Sequence, residues 1–351
     1  MAHKKLLLFG CHNVFGEIMS SVIIIKDNFD DLAKGLSFIN AVNKKLCIVT
    51  DDNVSTLYLK KVKDSLSALG NQIFSFVIKP GEDSKNLDTV KSIYDFLLDN
   101  KFDRDDFVLA LGGGVVGDIS GFTASTYKRG LRFVQIPTTL LAQVDSSVGG
   151  KNGVDYRMVK NAVGTFCQPS LIYINKETVS TLPEEELSNG KAEQIKTGII
   201  SGKGYEPSID ECISFKKLIT DEDPYDEYKR QILNFGHTIG HSIESAYGYK
   251  YKHGICVGLG MICAEYISVK RGWLDEDKLH ELKKELKDNG LKTSVDGIDI
   301  ETVLNNCCND KKVRDGIVRF VLLKGIGNPV IVDDVSRTEI LDALEAINEK
   351  G

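Results

Sequence analysis

The sequence predicts an α/β chain in two parts: a parallel layer of strands with covering helices, then a mainly α-helical half. Three observations predict it. Short runs rich in β-branched or aromatic residues alternate with helical patterns through the first half. One of those runs ends in three consecutive glycines. From Leu182-Pro183-Glu184 onward, helical periodicity dominates. Alternation of strand and helix argues a parallel sheet that binds its ligands at the carboxyl ends of the strands.

Taken in order, residues 4–9 (KKLLLF) read as a first strand. Their apolar run is too short for a secretory signal, and Gly10-Cys11-His12-Asn13 ends it. Further strands are expected at 45–49 (KLCIV), 73–78 (IFSFVI), 107–111 (FVLAL), 132–136 (RFVQI) and 171–174 (LIYI), with turn-forming residues close to their ends. Residues 87–98 carry helical spacing. A domain boundary near residue 180 gives one domain over 1–180 and a second over 181–351. Pro183, followed by three acids, suits the start of a helix. Residues 254–266 are apolar on nearly all sides, as a central buried helix would be.

Composition narrows the function classes. The 351 residues suffice for one large or two ordinary domains, and 42% hydrophobic with 27% charged content is that of a soluble globular protein. A net charge of −6 argues against nucleic acid as the partner and leaves a small anionic substrate open. No apolar run approaches the ~18 residues of a membrane span. The eight cysteines are scattered without a CxxC pair, several in apolar runs. They read as buried, reduced thiols of a cytoplasmic enzyme.

The richest segment is Leu233-Asn234-Phe235-Gly236-His237-Thr238-Ile239-Gly240-His241. The chain has six histidines; two lie here at i, i+4, and His253 follows. On one helix, Arg230, Asn234, His237 and His241 would form a polar stripe, with Ile232, Phe235, Ile239 and Ile243 on a core-facing side. Glu193, in Lys191-Ala192-Glu193-Gln194-Ile195-Lys196, taken alone reads as a surface ion pair with Lys196. If its helix meets the histidines, one carboxylate and two imidazoles would leave open positions on a zinc ion. Spacing does not choose between His237 with His241 and His237 with His253.

Other segments suit anions. Gly112-Gly113-Gly114-Val115-Val116-Gly117-Asp118 follows a strand and opens a helix, offering free N–H groups to a phosphate, although it is not the GxGxxG fingerprint. Pro80-Gly81-Glu82-Asp83-Ser84-Lys85 reads as an ordinary capped helix start. Residues 137–151, ending Val144-Asp145-Ser146-Ser147-Val148-Gly149-Gly150-Lys151, hold hydroxyls, a carboxylate, two glycines and a lysine, and Lys160-Asn161 follows. Lysines near a glycine-rich loop suit a phosphate oxyanion. Asp310-Lys311-Lys312 reads as a solvated charge cluster beside a turn.

Together these segments resemble the 3-dehydroquinate synthase family over about residues 49–327. The motifs stand in the family's order: VTDDN, PGEDSK, GGGVVGD, TTLLAQVDSSVGGK, KN, AEQIK, LNFGHTIGH, a His-Gly pair, and DKK followed by RFVLL. The resemblance implies a Rossmann-like NAD-binding domain, then a mainly helical metal- and substrate-binding domain, with the active site in the cleft between them. It implies zinc or cobalt on Glu193, His237 and His253, with His241 facing substrate. NAD contacts would come from Asp51, Asn53, Glu82, Lys85, Gly113, Gly114, Val115, Val116, Gly117, Asp118, Thr138, Thr139, Lys160 and the stretch from Thr178 to Thr181. The substrate would be 3-deoxy-D-arabino-heptulosonate 7-phosphate, gripped by Asp145, Lys151, Asn161, Lys196, Lys216, Arg230, Asn234, His241 and Lys312. Arg129 matches a residue that reaches a neighbouring subunit's site, which implies a homodimer.

The family's chemistry begins with transient oxidation of the C5 hydroxyl by NAD, which acidifies the C6 proton. Phosphate leaves, the ketone is reduced, the ring opens, and an intramolecular aldol step closes the carbocycle. Zinc would polarise the oxygen at C5, and NAD, regenerated each turnover, would act as a bound catalyst. The substrate phosphate would itself take the C6 proton. Asn152 and Gly153 stand where the family usually has Thr and Ala, Val159 where Gly is common, and Asp155 where many members have Asn. A sister cyclase acting on an uncharged sugar end would not need both Lys216 and Arg230. A metal-dependent alcohol or glycerol dehydrogenase would lack the VDSSVGGK grip. A non-enzymatic nucleotide-binding module would lack an intact metal set.

Overall fold

The computed structural model describes residues 21–157, 159–248, 250–309 and 318–349, with the side chains of 308 and 309 left out. The strand expected at 4–9 and the cluster at 310–312 lie outside the described residues. The chain divides between Leu182 and Pro183 into two compact units.

The first unit is built on a six-stranded sheet in the order β1-β8-β5-β4-β2-β3. Its strands are β1 (Val22–Lys26), β2 (Lys45–Asp51), β3 (Gln72–Ile78), β4 (Phe107–Gly112), β5 (Arg132–Pro137) and β8 (Leu171–Asn175). Every pairing is parallel. The central strands read as continuous apolar runs because both faces are covered. On one face Leu46, Ile48, Leu109 and Leu111 pack against α1 (Leu32–Phe38) and α3 (Lys60–Leu66). A short turn, α2 (Asp52–Val54), follows β2. On the other face Cys47, Val49, Val108 and Ala110 pack against α4 (Leu87–Asp99) and α5 (Gly114–Thr126).

All five later expected strands and the helix at 87–98 are present; β1 was not anticipated. Nor was the antiparallel hairpin of β6 (Lys151–Tyr156) and β7 (Val159–Phe166). The chain leaves β2 outward to β3, then returns to β4 on β2's other side. The loops after β2 and β4 therefore diverge, and such a switch point leaves a crevice for a ligand.

The second unit is mainly helical: α6 (Glu184–Ser201), α7 (Ile209–Glu222), α8 (His237–Ala246), α9 (His253–Lys270), α10 (Glu276–Asp288), α11 (Ile300–Asn309) and α12 (Arg337–Glu345). Short strand pairs complete it. Helix α9 is the buried centre that its apolar sequence predicts, with α6, α8, α10 and α12 packed on it. Capping boxes start α7 (Ser208 with Glu211) and α12 (Ser336 with Glu339). Among the described cysteine side chains none forms a disulfide, and all but Cys167 are buried. No described helix is long and apolar enough to cross a membrane.

Candidate active site

In the first unit the expected residues gather at the carboxyl ends of β2, β4 and β5. Asp51 ends β2, is buried, and accepts a hydrogen bond from the Val54 amide at 2.9 Å. Burial raises its pKa. Asn53 is exposed on the turn that follows. Gly113 caps α5, and its run of glycines is set by packing. A Cβ at Gly113 would lie 3.0 Å from Thr139 Cγ2, one at Gly114 3.3 Å from Ser146 Oγ, and one at Gly117 2.9 Å from Gln135 Oε1. These glycines keep backbone φ negative, so they serve close approach and not a left-handed turn. The start of α5 offers its free N–H groups there. Val115 is half-buried and Val116 belongs to the core. Thr138 is buried with its hydroxyl unpartnered, and Thr139 Oγ1 accepts from the Ala142 amide at 3.2 Å.

A polar network crosses this end of the unit. Lys85, buried, contacts Asp118 at 2.5 Å and donates to Asn161 Oδ1 at 2.6 Å. Burial works against its charge, but the Asp118 and Glu82 carboxylates outweigh that and raise its pKa. The segment 80–85 is thus more than the plain helix start it suggests in sequence. Asn161 sits at φ +51, with its amide held by Asp155 at 2.7 Å. Lys160 pairs with the exposed Glu82 at 3.9 Å. Asp145 lies half-buried in the helical turn Ala142–Ser146, and Lys151 is exposed at the start of β6. Arg129 is exposed, at φ +66. Thr178 and Thr181 lie on the turn Lys176–Thr181, where Tyr58 contacts Thr181 Oγ1 at 2.5 Å. Sequence reading missed Gln143. Fully buried, it donates to Asn175 O and Thr178 Oγ1, each at 2.9 Å, and so ties the loop after β5 to that turn.

The second unit gathers the other set. Glu193 and Lys196 lie one turn apart on α6, both buried and ion-paired. This corrects the surface-pair reading, and it makes the pair a costly one that needs further partners. They are His237 and His253: Glu193 Oε1 lies 3.3 Å from His237 Nε2 and 3.4 Å from His253 Nε2. Neither Glu193 oxygen accepts a well-formed hydrogen bond. Burial pushes its pKa up, but Lys196 and His237 outweigh burial and hold it well below the usual carboxylate range. Burial, then Lys196, lowers that of His237. For His253 burial is outweighed by Glu193 and Glu244, which raise it to about 9.

The donor set fits a divalent metal. Four ligands at ~2.0–2.1 Å in a tetrahedron stand roughly 3.3–3.4 Å apart, as the two Glu193–His separations do. Donor atoms of Glu193, His237 and His253 all lie within 4.8 Å of one another, and so do those of His241, Glu244 and His253. His253 belongs to both sets through different nitrogens. Its Nε2 faces Glu193, while Nδ1 lies 3.6 Å from the buried Glu244. A metal ligand held by a carboxylate on its second nitrogen is the usual arrangement. Glu244 escaped sequence reading because Glu at i+3 from His241 looks like an ordinary helix residue.

Glycines let the three helices meet. Gly236 (φ +76) and Gly240 on α8 approach α9 so closely that a Cβ at Gly260 would lie 1.8 Å from Gly236 O. A Cβ at Gly254 would lie 2.4 Å from Asn189 O on α6. The expected single helix carrying Arg230, Asn234, His237 and His241 is therefore not formed. Lys229–Asn234 is a separate tight helical turn, Gly236 breaks the path, and α8 starts at His237. Arg230 remains buried; it donates to Pro224 O at 2.8 Å, and its amide is held by Asp223 at 3.0 Å. Asn234 is half-buried and Lys216, on α7, is buried. Lys312 lies outside the described residues.

Comparison with known proteins completes the picture. Residues 75–189 match the family model for the 3-dehydroquinate synthase N-terminal part, and 185–313 that for its C-terminal part. The 3-dehydroquinate synthase of Ruminiclostridium cellulolyticum is 42% identical, over 90% of this chain and 93% of that one. The enzyme of the same name from Acetivibrio thermocellus is 40% identical, over 92% and 95%. The solved 2-epi-5-epi-valiolone synthase from Streptomyces hygroscopicus, with NAD+ and Zn2+ bound, superposes at a TM-score of 0.84. It is 26% identical, over 96% of this chain and 99% of that one. Two family models in tandem and these identities over nearly the whole length lead to one conclusion: the chain belongs to the 3-dehydroquinate synthase family.

Proposed function

We propose that the chain converts 3-deoxy-D-arabino-heptulosonate 7-phosphate into 3-dehydroquinate and phosphate, with NAD+ and a divalent metal as bound catalysts. The observation that carries this reading is the convergence of buried Glu193 and His237 with half-buried His253, in a unit that also buries the cations Lys196, Lys216 and Arg230. NAD+ supplies a reversible hydride acceptor, held by the β2, β4 and β5 ends through Asp51, Asn53, Glu82, Lys85, Thr138, Thr139, Lys160, Thr178, Thr181 and the Gly113–Asp118 turn. Zinc or cobalt on Glu193, His237 and His253 supplies Lewis acidity at the C5 oxygen.

The side chains do the rest. Lys216 and Arg230 bind the carboxylate end, which an uncharged sugar would not require. Lys151 and Asn161 take the phosphate end, with Lys312 in support. Holding both ends fixes one geometry for several steps. Lys196 counters the charge on Glu193. Asp145, Asn234 and His241 face the reacting hydroxyls and orient them. The substrate phosphate removes the C6 proton as it departs. Arg129 is exposed, and by family resemblance it enters the partner's site in a homodimer. Buried cysteines outside any disulfide support a cytoplasmic setting.

The test is phosphate release from the heptulosonate phosphate with NAD+ and zinc, against a chelator control. Metal-dependent release without net NADH is expected. No release from metal-loaded protein would overturn the reading in favour of a cyclase with another sugar phosphate.

A further inference from the structure

We propose that Asn152 is a positioning residue for Lys151, its carboxamide fixing the Gly149-Gly150-Lys151 turn; the proposal rests on the reading that Lys151 grips the substrate's anionic end. Gly149 (φ +102) and Gly150 (φ +68) carry the chain into β6 in left-handed backbone. Two glycines make that turn accessible and also leave it with the most conformational freedom to lose. Something must hold it if the following ammonium is to keep one place.

Asn152 is built to do so. The residue is 7% exposed, and Nδ2 donates to Gly150 O at 2.9 Å and to Cys167 O at 3.0 Å. The Cys167 amide donates to the same Gly150 carbonyl at 2.7 Å. The carboxamide therefore bridges the turn before β6 to the end of β7. Side chains alternate along a strand, so Asn152 points inward while the exposed Lys151 points the other way. The space for the carboxamide comes from α5, where a Cβ at Gly121 would lie 1.9 Å from Asn152 Oδ1. A hydroxyl residue at 152 has a single hydrogen to donate and could not satisfy both carbonyls as the two amide hydrogens do. Lys151, anchored at one stem, would reach the substrate with less entropy to lose.

The experiment uses the metal- and NAD-loaded full chain. KM for the sugar phosphate, KM for NAD+, kcat and hydrogen exchange at the Cys167 amide are read in Asn152→Ala, Asn152→Asp, Gly121→Ala and Lys151→Ala. Asn152→Asp keeps the shape and removes the donor. The expected result is a rise in sugar-phosphate KM of roughly fivefold to thirtyfold in both Asn152 variants, with KM for NAD+ within about twofold. Cys167 exchange should accelerate by a similar factor. Gly121→Ala should displace the carboxamide and reproduce the effect, and Gly121→Ala with Asn152→Ala should be no worse than either alone. An unchanged sugar-phosphate KM in folded Asn152→Ala would overturn the proposal. So would a parallel fall of NAD+ affinity, kcat and Tm, the signature of general loosening. If the wild type does not turn the substrate over, or Lys151→Ala leaves its KM unchanged, the functional reading fails. The exchange data then judge the clamp by themselves, and wild-type exchange at Cys167 in Asn152→Ala would refute it.

Discussion

Gly260→Ala probes whether close packing of α8 on α9 is what brings the imidazoles together. A Cβ at position 260 would lie 1.8 Å from Gly236 O and 2.8 Å from the Gly240 amide nitrogen. Contacts under 3.0 Å essentially never occur, so the start of α8 must retreat by roughly 1.2 Å. His237 begins that helix, and its Nε2 stands 3.3 Å from Glu193 Oε1. Metal sites tolerate about 0.2 Å in ligand distances, so the retreat is several times too large. Overpacking costs about 1–3 kcal/mol, and the gain from Ala over Gly within a helix offsets about 1 kcal/mol of that. The variant should therefore fold with a modest stability loss and bind zinc at least about tenfold more weakly. Competition with a chromophoric chelator gives the affinity, and thermal unfolding of the metal-free chain gives the stability. Wild-type zinc affinity in folded Gly260→Ala would refute the argument.

Three further outcomes follow from the same geometry. Glu265 lies buried on α9 with both oxygens unpartnered; burial, then Glu281, pushes its pKa well above the ordinary range despite Lys278. The folded chain thus holds a proton the unfolded one releases. Stability is full below the unfolded pKa and falls by about 1.4 kcal/mol per pH unit as pH rises toward the folded value. Glu265→Gln should remove this slope and gain roughly 3–6 °C of Tm per pH unit in that window; superimposable Tm–pH profiles would contradict it. Glu244→Ala should weaken zinc binding by about 10–100-fold through loss of support for His253 Nδ1, and an unaltered chelator titration would show that this carboxylate does not hold the imidazole. Arg230→Ala should raise KM for the sugar phosphate by at least about tenfold, since a bound carboxylate loses its charged partner; an unchanged KM would remove Arg230 from the substrate grip.

The alternating strands and helices of the first unit were legible because buried parallel strands are continuous apolar runs with turn residues close by. The β6–β7 hairpin was not, since Asn152, Gly153 and Asn161 have no strand-like pattern. Their pairing is set by contacts between glycines, Gly153 against Gly164, and by the Asn152 carboxamide. In the second unit α9 was plain from its apolar sequence. The helix through Arg230 and His241 was over-read, because periodicity of 3.6 continues across Gly236 while its φ of +76 does not. Spacing offered His237–His241 and His237–His253 equally. Glu193 could not be separated from a surface ion pair by sequence spacing, because its burial depends on Gly254 seating α9 against α6. His237 and His253, distant in sequence, become partners of Glu193 only through such packing.

We propose that Glu193, His237 and His253 hold the metal while His241 serves the substrate. Zinc titration of His241→Ala beside His253→Ala tests it most directly. His241→Ala should keep near-wild-type zinc affinity with strongly reduced turnover, and His253→Ala should lose zinc. Loss of zinc in His241→Ala with retention in His253→Ala would contradict it.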